Sequence, residues 1–175
     1  MASSDSSKTR RRTPAAAAPT GTVLDDLYLR PGFLVRRMAQ LLMSIAEQET
    51  AKIGLTPPQH VCLIALARTG GLDQISLGKA LGMDRATVGQ VVRRLESRGL
   101  VERTSVRGDA RRKVVLLTAA GSKLAVTADD AALNVSRRLM EPLEAPERLQ
   151  LTQLMTRVVE SLNPQSVVPI EPPRR

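Results

Sequence analysis

Aromatic residues are almost missing from this 175-residue chain: Tyr28 and Phe33 are the only two, and there is no tryptophan. A core without rings must be aliphatic, which suits helices packed through Leu, Val, Met and Ala. The one cysteine, Cys62, leaves no intramolecular disulfide framework. No Arg, Lys or His stands beside it to lower its pKa, so a buried, inert thiol is expected. The one histidine, His60, has no Cys, Asp or Glu at ligand spacing, so no metal site and no cofactor are expected. There is no G-x-S-x-G, no glycine-rich phosphate loop and no paired-carboxylate motif, which argues against an enzyme. No apolar run approaches the roughly 20 residues of a membrane span. The polar, basic start lacks the apolar stretch of a secretory signal. A cytoplasmic protein is the resulting expectation.

What the chain has in excess is positive charge, +9 in all. Residues 1–22 contribute +3, residues 23–72 contribute +1, residues 73–121 contribute +5, and residues 122–175 balance. A local surplus of this kind is the footprint of a phosphate-binding surface. The bland alternative is a basic face kept for solubility, which leaves its concentration in one stretch unexplained.

That stretch, residues 73–121, carries the densest pattern in the chain. Asp73 is placed to cap a short helix whose apolar face is Ile75, Leu77, Ala80 and Leu81, and Gly82 fits the left-handed residue that ends it. Asp84 caps a second helix. Its Val88, Val91, Val92 and Leu95 fall at i, i+3, i+4 and i+7, one buried stripe. The opposite side holds Arg85, Thr87, Gly89, Gln90, Arg93 and Arg94, mostly groups that donate to phosphates and base edges. Gly99 stops the helix. Residues 100–104 and 113–117 read as strands, with residues 105–112 as the loop between them, and Thr118 is placed to cap the next helix.

Helix, turn, helix and basic hairpin in this order form a winged helix-turn-helix. The stretch resembles the MarR family of bacterial transcription regulators. The resemblance rests on MDRATVGQVVRRLESRGLVER, on the wing motif Asp109-Ala110-Arg111-Arg112-Lys113, and on Val115-Leu116-Leu117-Thr118-Ala119-Ala120-Gly121, which matches V-x-L-T-x-x-G. Gly89 departs from the pattern, since family members often carry a hydroxyl or another polar side chain there. The resemblance implies a homodimer on double-stranded DNA, at a pseudo-palindromic operator. The second helix of the motif would enter the major groove and the wing the adjacent minor groove. Thr87, Gln90 and Arg94 would meet base edges, and Arg85, Arg93 and Lys113 phosphates. Arg111, oriented by Asp109, would reach the minor groove, with Arg112 beside it.

Outside the motif, the Ser/Ala/Pro/Thr-rich start with Lys8, Arg10, Arg11 and Arg12 is expected to be a disordered basic tail through residue 24. It serves either as a DNA-attracting arm or as nothing in particular. A helix is expected over about residues 31–52. Its apolar positions Leu34, Met38, Leu41, Leu42, Ile45 and Ala46, with Phe33, Val35 and Met43 beside them, exceed what one lobe buries, so a partner subunit is implied. Thr56 and Gln59 form a capping box before the apolar helix containing His60 and Cys62. A short strand completing the wing sheet is expected near Ile75. A long helix should run from Thr118 to about Met140, and Pro146 should open the last helix, followed by a proline-rich irregular tail.

The fold expected is therefore mainly α with a small β-hairpin wing. Residues 25–54 form a dimerisation helix, 55–121 the DNA-binding lobe, 122–163 further dimerisation helices, and 164–175 a tail. Members of the family often bind small aromatic acids between the dimer helices and the lobe. Tyr28, Phe33, Arg36, Arg37, Met43 and His60 supply the apolar wall and the cations such a pocket needs. The alternative is that Phe33 is core, His60 is a partly buried structural residue, and the arginines are solvated or contact the partner chain. A repressor released by an aromatic or heteroaromatic acid is the expected function. A sequence-independent architectural DNA-binding protein is the rival.

Overall fold

The computed structural model describes residues 24–106 and 109–173, and for residues 106 and 109–112 it describes the backbone alone. The basic tail, apart from its last residue, lies outside the described residues. The described residues fall into two compact units, one ending at Met38 and the other beginning at Ala39.

In the first unit, α1 (Asp25–Tyr28) is followed by the opening turns of α2 (Pro31–Ala51). Arg30 pairs with Asp26 at 2.6 Å on the exposed side of this junction. Proline is tolerated at the first position of α2 because its missing N–H would have no helical acceptor there.

The second unit continues with α3 (Pro57–Thr69), β1 (Leu72–Asp73), α4 (Gln74–Leu81) and α5 (Arg85–Ser97). Then come β2 (Val101–Val106), β3 (Asp109–Leu117), α6 (Ala119–Met140) and α7 (Ala145–Leu162), ending in a 3-10 turn at Asn163–Gln165. The helix boundaries follow local chemistry. The Gln59 side chain accepts from Thr56 N at 3.0 Å. Asp73 accepts from Ile75 N and Ser76 N at 3.1 and 2.9 Å. Thr118 Oγ1 accepts from Gly121 N at 3.0 Å. Gly82, at φ +62°, ends α4, and Gly99, at φ +67°, turns the chain after α5, both where a side chain would strain the left-handed backbone.

The core is aliphatic, as a chain with two rings requires. Leu63, Leu66, Leu77, Val88, Val92, Leu95 and Val115 are sealed from solvent between α3, α4, α5 and the sheet. Cys62 lies among them, and burial pushes its thiol up to about 12. Ile75 departs from expectation: it is 65% exposed. It sits on the outer side of α4, since the helical face that packs inward is occupied by Leu77 and Gly78.

The sheet is antiparallel in the order β1-β3-β2. Its third strand is not at Ile75 but two residues earlier, with Leu72 opposite Val115 and Asp73 opposite Val114. Asp73 serves both as a strand residue and as the cap of α4, so the helix starts too soon for Ile75 to pair. The wing strands are also longer than expected. Val101 pairs Leu117, Ser105 pairs Lys113, and Val106 pairs Asp109 after an irregularity in register. Cross-strand hydrogen bonding thus carries β-structure into the stretch that composition assigns to a loop.

Two contacts fix α6. At Gly121 any side chain would run into the Leu100 carbonyl, so the helix lies directly against the start of the wing. Further along, Glu49 of α2, 4% exposed, accepts from Arg138 Nη1 at 2.7 Å and from Lys52 Nζ at 2.7 Å. The bond from Lys52 and then that from Arg138 hold its carboxyl below the ordinary carboxylate range. After α7 the tail is irregular but anchored. The Asn163 side chain bonds both backbone groups of Ile170, and Glu171 bonds Lys79 through its backbone N–H and its carboxylate. Among the described residues no helix is long and apolar enough to cross a membrane.

Candidate nucleic-acid interface

The outer face of α5 is rich in unpaired donors. Its inner stripe, Val88, Val91, Val92 and Leu95, is buried, which leaves a fixed rotation of the helix about its axis. Arg85, Gln90, Arg93 and Arg94 are thereby exposed. None of the four side chains has a hydrogen-bond or ion-pair partner among the described residues. Four donor-bearing side chains held out by a buried valine stripe suit a polyanionic groove.

The start of α5 is held firmly. Asp84 accepts from Ala86 N and Thr87 N, both at 2.9 Å, and from Thr87 Oγ1 at 2.7 Å. The Thr87 amide, then its hydroxyl, holds the Asp84 carboxyl below the usual range. Thr87, expected at a base edge, therefore spends its hydroxyl proton on the cap. What it still offers is an acceptor lone pair and a methyl group.

An open groove of about 550 Å³ runs beside this face, lined by Gln74, Arg85, Ala86, Gly89, Gln90 and Arg93. Gln74 was not apparent from the sequence, because it belongs to the preceding helix. The signal that points to it is the glycine at 89, a residue with no reason of its own inside a helix. Lys113, midway along β3, is exposed and pairs with Ser105. The side chains of Asp109, Arg111 and Arg112 lie outside the described residues.

The residues named for an effector pocket are distributed as follows. In the first unit the rings of Tyr28 and Phe33 are 5.2 Å apart at 49°. The Arg36 guanidinium stands 5.0 Å from the centre of the Phe33 ring, a cation–π contact. Arg37 is exposed on the same helix. In the second unit Met43 is 47% exposed, and His60 is buried with Nε2 2.7 Å from the Ala128 carbonyl. A carbonyl only accepts, so Nε2 carries the proton and the ring ties α3 to α6. Among the described residues no cluster of His, Cys, Asp or Glu is arranged to hold a metal.

Known proteins resemble this chain in sequence and in fold. The chain is 32% identical over 151 residues to the HTH-type transcriptional repressor NicR of Pseudomonas putida, covering 86% of this chain and 96% of that protein. The sequence pattern of the MarR family matches residues 53–112, from the start of α3 into the wing. The chain belongs to the MarR family of transcription regulators. Its winged helix-turn-helix is accordingly a DNA-binding module rather than an enzyme scaffold, and α5 is the second helix of that motif in this MarR protein. Two solved structures are close in shape. One is Bordetella bronchiseptica BpsR, whose DNA binding is regulated by 6-hydroxynicotinic acid. It has a TM-score of 0.70 at 29% identity, covering 75% of this chain and 94% of that one. The other is PcaV of Streptomyces coelicolor in complex with its natural ligand. It has a TM-score of 0.67 at 32% identity, covering 77% and 95%.

Proposed function

We propose that this MarR protein is a homodimeric, cytoplasmic repressor that binds a pseudo-palindromic operator and is released by a small aromatic or heteroaromatic acid. The carrying observation is the outer face of α5, with Arg85, Gln90, Arg93 and Arg94 exposed and unpartnered among the described residues. In this reading Gln90, Arg94 and the Thr87 methyl and lone pair meet base edges, while Arg85, Arg93 and Lys113 hold phosphates. Arg111, oriented by Asp109, reaches the minor groove with Arg112 beside it. The similarity to the repressor NicR supports repression.

Dimerisation is supported by apolar surface that the single chain leaves bare. Leu34, Val35 and Leu41 of α2, Leu133 of α6, and Leu149, Val158 and Val159 of α7 are each 46–68% exposed. A symmetric partner would cover such faces. Residues 25–54 and 122–163 then form the dimerisation region around the DNA-binding lobe 55–121. Half-sites would lie about one helical turn, roughly 10 bp, apart.

Effector binding is assigned to Tyr28, Phe33, Arg36, Arg37, Met43 and His60. The ring pair with Arg36 over Phe33 offers an aromatic wall beside a cation. BpsR, regulated by 6-hydroxynicotinic acid, supports the ligand class. A ligand releases DNA only by as much as it prefers the conformation that does not bind it.

The test is a gel-shift or fluorescence titration of the protein on its own promoter against random DNA. A panel of benzoates, hydroxycinnamates and pyridine carboxylates is then added. Preference for the promoter and release by a panel member are expected, with Arg36→Ala, Arg37→Ala or His60→Ala raising the required concentration by about tenfold or more. Equal affinity for random DNA would instead make the protein an architectural binder. Release unchanged in all three variants would displace the pocket.

A further inference from the structure

Gly89 occupies the middle of the recognition helix, in line with Arg85 one turn before and Arg93 one turn after. Its backbone is helical, not left-handed, so conformational need does not explain the glycine. Inside a helix, glycine is less favourable than alanine by about 1 kcal/mol. Nor is backbone crowding the reason. The atoms that a Cβ at this position would meet are Gln74 Nε2 at 3.1 Å, Arg93 Nη1 at 3.6 Å and Gln74 Cδ at 4.0 Å. Gly89 is buried, on the otherwise exposed face of α5, beneath the amide of Gln74.

Gln74 is the first residue of α4, immediately after the cap Asp73. That position aims its side chain across the turn toward α5. The amide has two donors and an acceptor, and none has a partner among the described residues. The amide is open to solvent rather than sealed in protein, so its donors and acceptor are free for a ligand. Here the amide stands in the groove lined by Arg85, Gln90 and Arg93, the side chains assigned to DNA. A ligand in that groove would replace solvent at its donors and acceptor.

We infer that Gln74 is a further specificity-determining residue. Its amide takes the place on the groove-facing side of α5 that a side chain at 89 would fill, and it reads a base edge next to the one read by Gln90. Adenine, which offers a donor and an acceptor side by side in the major groove, fits a glutamine amide in two-point contact. The inference rests on the proposed entry of α5 into the major groove. Gly89 and Gln74 act as a pair: the glycine clears the space and the neighbouring helix supplies the reading group. A larger residue at 89 would push the amide aside.

The experiment selects binding sites from a randomised DNA pool with the full chain, then measures affinity for every single-base variant of the selected operator at one salt concentration. Wild type, Gln74→Ala, Gln74→Glu and Gly89→Ser are compared, with thermal melting to establish that each is folded. Gln74→Ala should abolish a preference of about tenfold or more at one base pair per half-site, leaving other positions and affinity for random DNA unchanged. Gln74→Glu, which keeps the bulk, should move the preference at that base pair toward cytosine, whose amino group donates to a carboxylate. Gly89→Ser should alter the same base pair and no other. An unchanged base profile in folded Gln74→Ala and Gln74→Glu would overturn the inference while leaving operator recognition intact. So would a uniform loss on operator and random DNA alike, which marks a phosphate contact. A wild type without any base preference would overturn the proposed reading by α5, and this inference with it.

Discussion

Adding one methyl group should have opposite effects on stability at two helical glycines, Gly78 in α4 and Gly32 in α2. At Gly32 a Cβ meets nothing within 4 Å. Gly32→Ala should therefore show only the gain in helix propensity and the reduced freedom of the unfolded chain, up to about 1 kcal/mol. At Gly78 the same Cβ would lie 2.9 Å from the Met83 carbonyl oxygen and 3.3 Å from Val88 Cγ2. Neither can retreat cheaply. Met83 is tied back by its own N–H, which donates to Gly78 O at 2.9 Å, and Val88 is sealed in the core. Overpacking of this kind costs about 1–3 kcal/mol, which exceeds or cancels the propensity gain of about 1 kcal/mol. The net expectation for Gly78→Ala is a destabilisation of about 1 kcal/mol. In a chain of this length that lowers Tm by about 2–4 °C, while Gly32→Ala raises it by at most a similar amount. Because the strain falls where α4 meets α5, operator affinity should fall for Gly78→Ala and stay constant for Gly32→Ala. Differential scanning calorimetry and a DNA titration read both quantities. A Tm raised equally by the two substitutions would refute the close approach of α4 to the Met83 turn.

Three further expectations follow from single side chains. Arg93→Ala should reduce the slope of log affinity against log salt by about 0.9 for each phosphate that Arg93 neutralises, and an unchanged slope would place Arg93 off the DNA backbone. Cys62, with its thiol raised from 9.0 to about 12 by burial, should resist thiol reagents at pH 8 until the chain unfolds. Since the unfolded thiol ionises first, stability attributable to this group should decline as pH rises from about 9 toward 12; rapid labelling of the native protein would contradict both statements. Asp84 has a folded pKa below its ordinary 3.8, so its capping bonds stabilise α5 fully above that pH and disappear as pH falls through the lower folded value. Carboxyl chemical shifts and α5 amide exchange against pH should move together, and an Asp84 titrating at or above 3.8 would show the cap to be unformed in solution.

The helical skeleton was legible in the sequence because its determinants are local. Asp73, Asp84 and Thr118 bond N–H groups two or three residues ahead, and Gly82 needs only its own backbone to turn left-handed. The valine stripe of α5 shows in the spacing of four residues, and that spacing alone turns Arg85, Gln90 and Arg93 outward. Strand limits were not legible, because they depend on a partner. Leu72–Asp73 becomes β-structure by pairing with Val114 and Val115, some 40 residues away, and the wing lengthens because Ser105 and Val106 find Lys113 and Asp109. Ile75 looks apolar enough for the core, yet the rotation of α4 forced by Leu77 and Gly78 turns it outward. Only the tertiary structure brings His60 to Ala128, Glu49 to Arg138 and the Gln74 amide over Gly89, since each joins residues that periodicity treats as unrelated. Capping and amphipathic spacing act within one or two turns of chain, so sequence determines them. Pairing, burial of polar groups and the filling of a glycine's empty space require two distant segments to meet, and packing alone decides which ones do.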